Sequence, residues 1–175
     1  MNDHGVWTIY ESPLGPLTLV ASPVGITALH FPGRASGLPH DAYRPAVFAA
    51  AAEQLEQYFA GDRRHFELEL DLVGTPFQRG VWQQLRRLPY GATVTYTSLA
   101  ELVGRPDRVR AVAAAVGRTP VPIIIPCHRV LAADGGLTGY RGGLQRKEAL
   151  LALERRTAAG RRAQPAWAYR QLALL

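Results

Sequence analysis

One cysteine, one lysine and one methionine are all that this chain of 175 residues contains of those types. Each scarcity removes a possibility. A single cysteine, Cys127, closes no internal disulfide, and a zinc site built on several thiolates is out of reach. No apolar run is long enough to cross a bilayer as a helix. The opening MNDHGVWTIYESP has neither the basic start nor the apolar core of a secretory signal. The expectation is a cytoplasmic protein, off the membrane, with no metal and no cofactor. Internal repeats are missing too, and the one biased tract is an Ala/Arg-rich tail.

What is present suits a folded chain: 47% apolar and 19% charged residues. The net charge of +6 is unevenly spread. Residues 1–74 carry four Arg against nine acids, and residues 75–154 carry eleven basic residues against five acids. The stretch from Arg155 to Leu175 adds five Arg and no acid. An acidic first part followed by a basic second part points to a polyanionic partner for the second.

Three domains of organisation are expected. Residues 1–74 read as a small α/β support domain. Its strands are Val6–Glu11, Leu17–Ser22 and Ile26–Phe31, followed by a helix entered at Pro45 and ended by Gly61, and by a strand over Phe66, Leu68 and Leu70. Residues 75–155 read as a mostly helical domain. Thr75-Pro76-Phe77-Gln78 has the form of a capping box with proline in the first turn. A short helix should begin near Thr97 or Ser98, and a third, capped by Asp107, should run from Arg108 to Gly117. Helix, Gly-containing turn, helix is the outline of a helix-turn-helix. Residues 156–175 read as a basic tail.

The third helix opens with Arg108 and Arg110 and continues through Ala111, Ala113, Ala114 and Ala115. Small side chains let a backbone come close to a partner, and arginines reach phosphates. Beyond it, PVPIIIP predicts a buried extended segment leading to Cys127-His128-Arg129, with a short hairpin over Val130, Leu131 and Asp134-Gly135-Gly136. His128 is the only histidine after His65. A lone buried cysteine is ordinarily inert, but beside an imidazole it is a candidate nucleophile. In extended backbone the two side chains point apart, so His128 is expected to reach Cys127 through a water. A base needs an orienting group. Leu144, Lys147, Leu151 and Glu154 recur at helical spacing on one face, which carries Glu154 inward towards His128 and buries the single lysine.

These motifs together (TPFQRGVWQQLRRLPYG, TVTYTSLA, RPDRVRAV, PVPIIIPCHRV, GYRGGL and RKEALLALE) resemble the O6-alkylguanine-DNA alkyltransferase family across Thr75 to Glu154. The first part is similar, more loosely, to that family's ribonuclease-H-like domain. The resemblance implies an α+β protein: an N-terminal ribonuclease-H-like α/β domain and a C-terminal winged-helix-like domain with a helix-turn-helix. It implies Cys127 as alkyl acceptor, His128 as its water-linked base, Glu154 as the orienting carboxylate and Tyr96 as the group protonating the leaving guanine. Val130, Tyr140, Arg141 and Lys147 match positions around the extruded base. Arg110 matches the arginine that fills the gap in the stack, with Arg108, Ala111, Ala114, Thr95 and Arg129 expected at the DNA. The implied partner is double-stranded DNA carrying O6-alkylguanine, with O4-alkylthymine as a further substrate, met by a monomer in a single-turnover reaction.

Three departures stand out. Thr119 replaces the usual hinge Asn and is expected to leave one backbone group short of a partner. Arg141 stands where a small residue is usual beside the base pocket, and Ala113-Ala114 where glycines are common. Competing readings are a non-catalytic sensor of alkylated DNA, which would lack the cysteine, a helix-turn-helix transcription regulator, and a cysteine hydrolase, for which no oxyanion hole is evident.

Overall fold

The structure, a computed structural model, describes residues 5–33 and 37–160. The chain divides after Leu72 into two compact units. The first is an antiparallel meander, β1 (Val6–Ser12), β2 (Gly15–Ala21) and β3 (Ile26–His30), with helix α1 (Ala49–Ala60). Ser12 pairs with Gly15 across the first turn, where the Ser12 hydroxyl accepts from Leu14 N at 3.1 Å. Strand alternation sends Leu17, Leu19 and Ala21 to one face, where they are buried. Leu55, Tyr58 and Phe59 of α1 are buried at helical spacing. Pro45 opens a 3₁₀ turn, Pro45–Phe48, ahead of α1, and Gly61 closes the helix in the left-handed conformation.

The strand expected over Phe66–Leu70 does not form. Only Leu70 bridges to Ile26. Gln54 of α1 supplies the reason: its carboxamide accepts from Glu67 N at 2.8 Å and donates to Glu67 O at 3.0 Å. One side chain satisfies both backbone groups that a neighbouring strand would otherwise have to meet. At Gly25 the segment comes so close that a Cβ would lie 2.5 Å from Glu69 O.

The second unit comprises α2 (Pro76–Arg86), β4 (Val94–Thr95), α3 (Tyr96–Leu102), α4 (Val109–Gly117), β5 (Val130–Leu131) and α5 (Leu144–Ala158). The capping box at Thr75 and Gln78 is formed in both directions. Val81, Trp82 and Leu85 of α2 are buried with Leu99, Val112 and Val116, each large apolar side chain contributing roughly 1.5–3 kcal/mol on burial. The Trp82 indole donates to Ala115 O at 2.9 Å and so ties α2 to the end of α4.

Four local expectations are corrected. Helix α3 starts at Tyr96 because Thr95 caps it, accepting from Ser98 N at 3.1 Å. Asp107 caps nothing; it lies in the 3₁₀ turn Pro106–Arg108, exposed, 3.8 Å from the Arg108 guanidinium. The hairpin after Cys127 is reduced to a turn, with Ala132 N on Gly136 O at 3.1 Å, and its first strand, Val130–Leu131, pairs in parallel with Val94 and Thr95. Helix α5 continues to Ala158, past the expected start of the tail, whose remainder from Arg161 lies outside the described residues.

Candidate active site and nucleic-acid interface

The PVPIIIP run is buried as expected but turned rather than extended. Ile125 N bonds to Val121 O at 2.9 Å, and Ile123, at φ 76°, is the one non-glycine residue with positive φ among those described. A β-branched residue in that region is strained. Pro126, at φ −78° and ψ 59°, then forms an inverse γ-turn, closed by Cys127 N on Ile125 O at 2.7 Å. The two reversals deliver Cys127, His128 and Arg129 as a buried 3₁₀ turn.

The predicted face of α5 is mostly confirmed. Lys147 and Glu154 are fully buried and Leu151 nearly so, while Leu144 is exposed. Glu154 is the hub. Its carboxylate accepts from His128 Nε2 at 2.9 Å, from Arg129 Nε and Nη2 at 2.8 Å each, and from Gly91 N at 3.0 Å. Burial alone would raise its pKa, but His128 and Arg129 win and hold the carboxyl far below the usual carboxylate range. Gly91 reaches the hub with φ 77°, and a Cβ there would meet Ala158 Cβ at 3.0 Å.

This geometry fixes the imidazole. An ionised carboxylate only accepts, so Nε2 carries the proton and Nδ1 presents a lone pair. Nδ1 is buried with no partner among the described residues. Burial lowers the His128 pKa, with Glu154 pulling against it and Arg129 and Lys147 adding to it. The residue is therefore a neutral base at pH 7.

Arg129 is not where the sequence reading put it. It is 5% exposed, clamped on Glu154 and donating through Nη1 to Leu88 O at 2.6 Å, with Tyr90 beneath its guanidinium. A guanidinium so engaged is not offered to DNA. An arginine inside the apolar run IIIPCHRVL was itself the available signal, because a cation in such a run needs a buried partner.

Cys127 is 6% exposed, and burial pushes its thiol up to about 11. The Thr119 side chain and the Lys147 ammonium pull the other way. Lys147 also donates to Val130 O at 2.6 Å and Thr138 O at 2.9 Å, holding β5 to the following loop. Its compact ammonium, with three donors, suits this role better than a planar guanidinium. Thr119 is buried, its Oγ1 donating to Val116 O at 2.8 Å and its N–H reaching the same carbonyl at 3.1 Å.

A pocket of about 460 Å³ opens beside the thiol, lined by Tyr96, Ala113, Gly117, Thr138, Tyr140 and Arg141. A narrow recess of about 10 Å³ shares Gly117, Tyr140 and Arg141 with it and is bounded by Thr119 and Cys127. That is room for one water-sized group. Val130 and Lys147 line neither space. Tyr96 is half-buried, its pKa raised first by burial and opposed by a hydrogen bond with Thr138. Arg108, Arg110, Ala111 and Ala114 are all exposed on α4 and the turn before it, while Thr95 has its hydroxyl committed to the α3 cap. Two arginines at a helix N-terminus oppose the helix dipole, a cost that an anionic partner relieves.

A buried Cys–His–carboxylate set beside a base-sized pocket, on a unit carrying a basic helix-turn-helix, defines a thiol group-transfer protein that works on nucleic acid. The comparisons with known proteins agree. Residues 6–72 match the family model for the 6-O-methylguanine DNA methyltransferase ribonuclease-like domain, and residues 76–156 that for its DNA binding domain. The chain is 47% identical over 152 residues to a methylated-DNA–protein-cysteine methyltransferase of Mycolicibacterium paratuberculosis, covering 83% of this chain and 90% of that one. It is 43% identical over 151 residues to one from Methanosarcina acetivorans, covering 85% and 97%. The fold is similar to that of Mycobacterium tuberculosis OGT in complex with DNA, with a TM-score of 0.83, 42% identity, and coverage of 93% and 98%. The chain belongs to the 6-O-methylguanine DNA methyltransferase family.

Proposed function

We propose that this protein repairs DNA by moving an alkyl group from O6 of guanine, and from O4 of thymine, onto Cys127, once per molecule. The observation that carries this reading is that the buried Cys127 lines a narrow recess adjoining a base-sized pocket. The thiol is next in the chain to an imidazole whose free nitrogen is a base.

A base inside a duplex is out of reach, so it is extruded at a cost of a few kcal/mol. Arg110 fills the gap in the stack, Arg108 meets phosphate, and Ala111 and Ala114 let α4 lie close to the duplex. His128 Nδ1 takes the thiol proton through a water. The thiolate attacks the alkyl carbon in line, forming S–C as C–O6 breaks. Tyr96 gives its hydroxyl proton to the departing guanine, and the proton held on His128 offsets the phenolate. Tyr140 and Arg141 flank the base. The product thioether resists water and thiols, so no second turnover follows. Pocket, thiol and helix-turn-helix lie on one unit, which suits a monomer.

Incubation with duplex DNA containing O6-methylguanine, followed by intact mass, tests this. One methyl mass per protein at Cys127 is expected, with repaired base equal to protein consumed. Cys127→Ser should bind the duplex and transfer nothing. Repaired base in excess of protein would exclude a single-use acceptor.

A further inference from the structure

A buried cation and a buried imidazole share one carboxylate. Glu154 Oε1 accepts from His128 Nε2 at 2.9 Å and from Arg129 Nη2 at 2.8 Å, while Oε2 accepts from Arg129 Nε at 2.8 Å. The guanidinium therefore lies fork to fork on the carboxylate, and its third nitrogen, Nη1, is fixed on Leu88 O at 2.6 Å. Arg129 is 5% exposed, and His128 and Glu154 are fully buried.

An unbalanced charge is costly in such surroundings. Carboxylate and guanidinium cancel, so a neutral imidazole completes a balanced set. With a neutral side chain at position 129, balance would instead favour the imidazolium. Both ring nitrogens would then carry protons, and neither could accept one.

We propose that Arg129 is a positioning residue that answers the charge of Glu154 and so leaves His128 Nδ1 free to take the Cys127 proton. Glu154 then orients the ring without claiming a second proton for it. When the thiol proton passes through a water to Nδ1, thiolate and imidazolium arise together and the net charge of the set is unchanged. Arginine suits the position because its charge is permanent and its planar fork spans both carboxylate oxygens while the far nitrogen holds Leu88 O. The charged and titratable groups around His128 are Glu154 and Lys147 on α5, with Arg129 and Cys127 on its own turn. Tyr90, ahead of β4, lies under the guanidinium, and Tyr140, in the loop before α5, faces Cys127 and Glu154. The use of His128 as a base rests on the proposed repair reaction; the protonation state of its ring does not.

NMR of the ¹⁵N-labelled whole protein reads that state directly. The ring nitrogens of His128 are followed from about pH 5 to 9, around the ordinary imidazole value, in the parent, Arg129→Gln and Arg129→Lys. Their signals are assigned by their loss in His128→Gln. The parent should be neutral at pH 7 with its proton on Nε2. In Arg129→Gln the midpoint should rise by about one unit or more, since a neighbouring like charge is gone. Arg129→Lys, which restores the charge without the fork, should stay within about half a unit of the parent. A site merely loosened would admit water and raise both variants alike. An unmoved midpoint in Arg129→Gln, or equal rises in the two variants, would overturn the proposal. Should Arg129→Gln fail to fold by circular dichroism, the other two proteins decide: a parent imidazolium at pH 7, or a midpoint about one unit higher in Arg129→Lys, overturns it as well. Transfer from free O6-benzylguanine over the same pH range separates this inference from the repair reading. It should fall about tenfold at pH 7 in Arg129→Gln and recover as the pH passes the new midpoint. A parent that transfers nothing while the NMR pattern holds removes the repair function and leaves the role of Arg129 standing.

Discussion

Replacing Glu154 with Gln changes one atom of a side chain that accepts four N–H bonds. The amide oxygen can serve only one side of the former carboxylate. The NH₂ then faces two donors, either His128 Nε2 with Arg129 Nη2, or Arg129 Nε with Gly91 N. Two buried donors lose their acceptor, at about 1–3 kcal/mol each. The Arg129 guanidinium, 5% exposed, also loses its counter-charge. Removing one partner of a buried ion pair costs about 3–5 kcal/mol, and the two figures describe the same event from two sides. Urea denaturation at pH 7 should show a loss in that range for Glu154→Gln.

The pH dependence supplies an independent check. The Glu154 carboxyl is depressed in the folded state, so its contribution is complete above the unfolded carboxyl value, near 4.3, and is lost as the pH falls towards the folded one. His128 is also depressed when folded. The unfolded chain takes up its proton first, so stability begins to fall below about pH 6.5. Parent stability should decline in two stages on acidification. Glu154→Gln should lack the lower stage, and His128→Gln the upper. A loss under about 1 kcal/mol at pH 7, or an unchanged acid profile in Glu154→Gln, would mean that the hub does not hold the unit together.

Other tests address the DNA face and the pocket. Arg110→Ala should slow repair in duplex DNA far more than reaction with free O6-benzylguanine, because the free base needs no extrusion; single-turnover rates on both substrates decide this, and equal losses would count against an intercalating role. Arg141 lines the pocket and is exposed. Arg141→Ala should raise the rate with O6-benzylguanine relative to O6-methylguanine severalfold in a competition assay, and an unchanged ratio would remove Arg141 from substrate selection.

How much of this was legible beforehand depends on the range of the interaction. Lys147 and Glu154 were read as inward-facing because a helix repeats its face every three or four residues, and both are buried. The capping box at Thr75 was legible because it is complete within four residues. Arg129 was misread, since its partners Leu88 and Glu154 lie 41 and 25 residues away and no local pattern shows them. The parallel pairing of Val94–Thr95 with Val130–Leu131 is two residues long, too short to carry a period. The strand that failed at Phe66–Leu70 had the right alternation, but a Gln54 carboxamide took the place of a neighbouring strand. Thr119 was singled out as a hinge, and the structure buries it with its hydroxyl on Val116 O, a partner that no sequence pattern could place beside it.

The burial of Cys127 also bears on how the resting thiol meets oxidants. A free cysteine with a pKa near 8.5 is about 3% thiolate at pH 7 and is steadily lost to peroxides and mixed disulfides. With burial pushing its thiol up, Cys127 at rest holds much less thiolate than a free cysteine does. A molecule that acts once has no way to recover from a stray oxidation. The burial that raises the Cys127 thiol therefore also slows its oxidation between one lesion and the next.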